Sequence, residues 1–128
     1  MNQTNNELYQ KFLSLNRGIG TLMIRANTAR EALPVSNLKI LITTTYEGNT
    51  LTLFEGYTDE SGMINNISLP APKIDNNNLI VPIATTYNIK ASLNNQFDQT
   101  YFVNIYDGIS VLQNISVFYI SEGDNYGS

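Results

Sequence analysis

The sequence predicts an all-β protein, a seven-stranded antiparallel Greek-key β-sandwich preceded by one short N-terminal amphipathic helix. Three observations predict it. Helical periodicity is confined to the first residues of the chain, up to Leu15. From Leu22 onward apolar and polar side chains alternate with period two, in short runs rich in Ile, Val, Thr, Tyr and Phe. Clusters of Gly, Asn, Asp and Pro punctuate these runs at the spacing of a sandwich. A length of 128 residues sets one domain, divided here into an arm at 1–18, a sandwich at 19–120 and a polar tail at 121–128.

In the arm, Thr4 and Glu7 have capping-box spacing. Leu8, Phe12 and Leu15 fall at i, i+4 and i+7, with Tyr9 and Leu13 widening the stripe. Arg17, Gly18 and Gly20 read as the stop. A helix of about three turns is marginal alone in water, so this stripe packs either on its own domain or on another chain.

The first strand carries Leu22, Ile24 and Ala26 on one face, and Glu31–Pro34 is a connector. The second carries Leu38, Ile40 and Ile42 and runs into Thr43-Thr44-Thr45. Glu47-Gly48-Asn49 turns into a third strand, Thr50 to Tyr57. Thr58-Asp59-Glu60-Ser61-Gly62 is a tight turn, in which Asp59 can hold an Asx-turn and Gly62 can take positive φ. Met63 to Leu69 is the fourth strand, and Pro70 to Ala84 the longest irregular connection. The fifth, Thr85 to Leu93, sets Tyr87, Ile89, Ala91 and Leu93 on one face. Phe97 to Tyr106 and Ile109 to Ile120 are the sixth and seventh, the last with a break near Gln113-Asn114.

Composition excludes whole classes of function. There is no His and no Cys, which removes Ser-His-Asp and Cys-His nucleophiles, haem and iron–sulfur ligation, ordinary zinc sites and disulfides. A net charge of -4 argues against nucleic acid as a partner. No apolar run approaches the ~20 residues of a membrane span, and the N-terminus lacks the features of a signal peptide. No cofactor and no metal are expected. The carboxylates Glu55, Asp59 and Glu60 read as turn and surface groups, and Asp75 adds no calcium-loop spacing. Phe54, Phe102 and Phe118 fall opposite the main alternation of their strands, so an exposed patch is expected of them.

These residues carry a resemblance. Gly20-Thr21-Leu22, Leu33-Pro34-Val35 and Thr58-Asp59-Glu60-Ser61-Gly62 are similar to the pattern of transthyretin-like (prealbumin-like) and carboxypeptidase-regulatory-like sandwiches. More narrowly, the stretches Gly56–Lys73, Pro82–Ala91 and Val103–Val117 resemble the N-terminal domain of clostridial-type spore cortex-lytic enzymes. Related domains occur in envelope-associated, peptidoglycan-binding proteins of spore-forming bacteria. The resemblance implies a non-catalytic module in a spore or cell-envelope setting, with hydrolase chemistry in separate domains and no catalytic residue to carry over. Hydroxyisourate hydrolases also resemble the chain in size, and Tyr126-Gly127-Ser128 echoes their tail, but their chemistry depends on histidines.

The reading is therefore a stand-alone assembly or targeting module, not an enzyme. Its contact element is expected in Leu8, Tyr9, Phe12, Leu13 and Leu15, with a protein partner or a second copy as occupant. Peptidoglycan binding and a structural place in a phage-tail-like or surface assembly are the alternatives.

Overall fold

The computed structural model describes residues 2–74 and 83–118, with side chains from residue 6 onward. Helix α1 (Asn2–Leu15) leads into β1 (Gly18–Thr28), β2 (Lys39–Tyr46), β3 (Asn49–Tyr57), β4 (Met63–Ala71), β5 (Thr85–Leu93), β6 (Phe97–Ile105) and β7 (Ser110–Val117). The strands form a three-stranded sheet in the order β4-β1-β7 and a four-stranded sheet in the order β3-β2-β5-β6.

Between the sheets lies one core. Leu22, Ile24 and Ala26 of β1 meet Ile40 and Ile42 of β2 and Tyr87, Ile89 and Ala91 of β5, all buried. The expected alternation in these strands holds residue by residue. Leu38 is also buried, just ahead of β2. The Tyr87 hydroxyl crosses between the sheets and donates to the Pro70 carbonyl. Burial raises its pKa above the ordinary phenol value, and the nearby Tyr9 adds to the rise.

Four details depart from expectation. The sandwich is not wholly antiparallel: β7 runs parallel to β1, from Thr21 beside Ser110 to Thr28 beside Val117. β1 leaves α1, and β7 leaves the Asp107-Gly108 corner, at the same end of the molecule, so both enter the sheet in the same direction. β7 is also continuous through Gln113 and Asn114, where a break was expected.

The fourth strand extends through Pro70 and Ala71, which were expected in the connection. Pro70 sits opposite Ile19 on an edge strand, where its missing N–H costs no ladder bond. The remaining difference is at the helix end. α1 begins at Asn2, so Thr4 lies inside the first turn rather than at its cap. It ends before Asn16, whose amide donates to the Phe12 carbonyl at 2.7 Å and whose oxygen accepts from Thr85. Gly18 and Gly20 are not the stop but part of β1. A Cβ on Gly20 would lie 2.4 Å from the Tyr106 carbonyl, so the corner can close only on glycine. Asp75, the Asn76-Asn77-Asn78 run, Pro82, Tyr119, the end of the expected seventh strand at Ile120 and the tail at 121–128 lie outside the described residues.

Candidate interaction surface

The arm is held to its own sandwich. Phe12 is buried in the common core and meets the Tyr46 ring edge-on, with centroids 5.9 Å apart. Tyr9 and Leu13 are partly buried against the same core, and Leu8 is half-buried. Burying a phenylalanine contributes about 2–3 kcal/mol, enough to fix a helix too short to stand alone. Leu15 alone of the five turns outward, at 62% exposure.

Leu15 stands at a corner where several segments converge. The Asp107 carboxylate accepts from the backbone N–H groups of Ile19 at 3.0 Å and Ile74 at 3.1 Å. The Gly108 N–H donates to the Ile19 carbonyl at 2.8 Å. The bond to Ile74, then that to Ile19, holds the Asp107 carboxyl below its ordinary pKa. Around this corner Leu15, Ile19, Ile83 and Ile109 are exposed, each within two residues of one of these bonds or of the Asn16–Thr85 clasp. All four stand near the end of the molecule where β1, β5 and β7 begin, and give that rim its exposed apolar side chains. The sequence reading missed Ile19, Ile83 and Ile109, because an exposed isoleucine in a strand or connector looks like a core residue.

The three phenylalanines do not come together. Phe102 projects from the outer face of β6 at 70% exposure, and Phe118 follows β7 at 60%. Phe54 is on β3, at the far margin of the four-stranded sheet from β6, and packs partly against the core. A bulge explains it: β3 pairs Phe54 with Ile42 but Thr52 with Thr43, so Leu53 is an extra residue. The bulge turns Phe54 onto the Ile42 face. Phe118 instead lines a shallow hollow of about 330 Å³ with Asn94, Asn95, Phe97, Asp98 and Gln99.

Asp59 and Gly62 shape the turn between β3 and β4. Asp59 Oδ1 accepts from Ser61 N at 2.8 Å and Met63 N at 2.9 Å, and Gly62 has φ of 75°. The adjacent Thr58 is buried; its hydroxyl donates to the Val35 carbonyl at 2.6 Å and accepts from Leu38 N at 3.0 Å. Glu55 pairs with Lys39 at 3.2 Å on the exposed surface, a contact worth less than about 1 kcal/mol. Among the described residues, no three acidic groups are placed to hold a metal ion.

The outer face of the four-stranded sheet is a hydroxyl and amide ladder. Thr45 stands opposite Thr50, Thr43 between Thr52 and Asn88, and Asn88 beside Phe102. Thr86 donates to Asn104 across β5 and β6 at 2.6 Å. Only Thr44 of the triplet faces inward, giving its hydroxyl to the Thr86 carbonyl at 2.8 Å.

This architecture has counterparts among solved structures. The chain is similar to the Bacillus anthracis TIE protein, with a TM-score of 0.52, 11% identity and coverage of 80% of this chain and 17% of that one. It is similar to GBS52, the minor pilin of Streptococcus agalactiae, with a TM-score of 0.52, 14% identity and coverage of 82% and 46%. A β-sandwich fold is shared. The chain thus spans 17% and 46% of the lengths of these two proteins. Transthyretin from Sparus aurata aligns at a TM-score of 0.45, with 18% identity over 76% of this chain and 89% of that one. No family model matches the sequence, and no curated protein matches it.

Proposed function

We propose that this chain is a non-catalytic β-sandwich module that works by assembly or targeting, in a spore, cell-envelope or cell-wall-lytic setting. The observation that carries the reading is the apolar rim of Leu15, Ile19, Ile83 and Ile109 around the Asp107 corner. A contiguous exposed apolar patch marks an interaction site, and these four side chains are the residues that would make one at this end. Within the arm, Leu15 is the residue offered to a partner, while Phe12 anchors the helix that presents it. A fold shared with a minor pilin is compatible with such a role, and the envelope setting rests on the motif resemblance in Gly56–Lys73, Pro82–Ala91 and Val103–Val117.

Light scattering across a concentration series tests the reading. The intact chain is expected to self-associate or to bind an envelope protein, and a Leu15→Glu/Ile83→Glu variant to lose that contact with its circular dichroism unchanged. An intact chain that stays monomeric and engages neither protein nor cell wall sinks the proposal.

A second reading, a peptidoglycan-binding face, is favoured by the Thr and Asn ladder around Phe102. Co-sedimentation with purified peptidoglycan decides it, and loss of retention in Phe102→Ala is the expected sign.

A further inference from the structure

The strands at the sheet margins differ in how they are closed to a neighbour. β4 carries Pro70 and a bulge, where Asn65 and Asn66 face one residue of β1 and Asn66 takes φ of 57°. β3 carries the Leu53 bulge and Glu55. β6 carries Asp98 and belongs to the sheet that already has four strands. β7 has none of these devices. Its eight residues, Ser-Val-Leu-Gln-Asn-Ile-Ser-Val, include no charge, no proline and no glycine, and its pairing with β1 has no register shift. Natural edge strands of this length are normally blunted, because an open edge is a template for another strand.

The edge offers a regular set of groups. Thr21 N donates to the Ile109 carbonyl at 3.0 Å, which sets the phase of the parallel ladder. Val111, Gln113 and Ile115 then turn their backbone groups toward β1. The N–H and C=O of Ser110, Leu112, Asn114 and Ser116 point away, and among the described residues only the Asn114 C=O has a partner, the neighbouring Gln113 side chain. The same strand leaves Val111 and Gln113 only half-buried on its inward side.

We propose that β7 pairs antiparallel with β7 of a second copy, about a two-fold axis at Gln113. The inference rests on the assembly reading and names the partner and the surface. Inward side chains stay inward only if paired positions sum to an even number, and a centre at Gln113 uses every outward group. Ser110 then faces Ser116 of the other copy, and Leu112 faces Asn114. On the inner side Val111 meets Ile115. The two Gln113 amides meet on the axis, where each can donate to and accept from the other. This accounts for a polar residue on the inward face of the strand, which in the single chain donates to the Asn114 carbonyl at 3.0 Å. The strand itself, free of charged residues, brings no like charges to this seam. The product is one continuous six-stranded sheet, β4-β1-β7-β7-β1-β4, with isologous symmetry.

Two variants and one spectroscopic readout test the pairing on the full chain. Sedimentation equilibrium is expected to give twice the chain mass. In amide exchange, Ser110, Leu112, Asn114 and Ser116 are expected to gain protection as concentration rises. Gln113→Glu sets two carboxylates on the axis and is expected to weaken the dimer at least tenfold at pH 7. Recovery is expected toward about pH 5, because one of two facing carboxylates is readily protonated. Asn114→Pro, which removes an outward N–H, is expected to give a folded monomer. A monomer at every concentration overturns the inference, as does a dimer whose β7 amides stay unprotected or that ignores Gln113→Glu. If Leu15→Glu/Ile83→Glu dissolves the assembly while the β7 variants do not, the pairing fails and the assembly reading stands. A foreign strand on β7 with no dimer likewise overturns the pairing and leaves the assembly reading in place.

Discussion

Asp107 holds Ile19: its carboxylate receives the Ile19 N–H at 3.0 Å, across 88 positions of sequence. With the second bond, to Ile74, this fastens the start of β1 and the segment that follows β4 to the corner before β7. Both bonds favour the charged carboxylate, so its folded pKa lies below its unfolded one. Such a group stabilises the fold fully above the unfolded value, and the contribution is lost as pH falls through the folded value. Melting temperature measured from about pH 6 down to about pH 2.5 is therefore expected to fall more steeply for the native chain than for Asp107→Asn. Parallel curves would show that Asp107 is not the titrating fastener.

Thr58→Val keeps the shape of a buried side chain and removes its hydroxyl. The Leu38 N–H and Val35 carbonyl would then be left without that partner inside the protein. A loss of about 2–4 kcal/mol is expected in urea unfolding. Thr52→Val, on the exposed face of β3, should change stability by less than about 0.5 kcal/mol and serves as the control.

Gly62 has φ of 75°, and a Cβ there would lie 2.4 Å from the Ala26 carbonyl. Gly62→Ala combines left-handed strain with a clash against backbone that cannot swing away, so a cost of at least about 2 kcal/mol is expected. Gly48 also has positive φ, but nothing lies within 4 Å of its Cβ position. Gly48→Ala should cost only the conformational part, about 1 kcal/mol, and thermal melts of the two variants separate the terms.

Phe12→Ala empties a site that is 3% exposed and is expected to cost about 3–5 kcal/mol, with loss of the helical signal in far-ultraviolet circular dichroism. Leu15→Ala, one turn on at 62% exposure, should leave stability within about 0.5 kcal/mol. Equal losses at the two positions would show that the arm is not anchored as described.

What the sequence discloses follows from range. Leu22, Ile24 and Ala26, and Tyr87, Ile89 and Ala91, were legible because alternation is a local property of one strand. Phe54 was not, since the bulge that turns it inward is a mismatch between β2 and β3. The parallel course of β7 depends on where both strands enter the sheet, and no window of sequence holds that. Asn16 carries no comparable local signal, because Arg17, Gly18 and Gly20 spell a more familiar helix stop. The sequence left two placements of the arm open, and they were separated only by what Phe12 meets. The rim around Asp107 gathers residues from four parts of the chain and had no local signature.

The parallel pairing of β1 with β7 also has a meaning for how the protein comes into being. β1 is the central strand of its sheet, yet one of its two neighbours, β7, follows it in the chain only after five intervening strands. Until residues 110–117 emerge, Thr21, Met23, Arg25 and Asn27 have no ladder on that side, and the closing contacts span roughly ninety residues, an expensive loop to shut. Closing this three-stranded sheet is thus expected to wait for β7. A nascent chain halted before Ser110 would present the apolar middle of its own sheet as an unfinished edge.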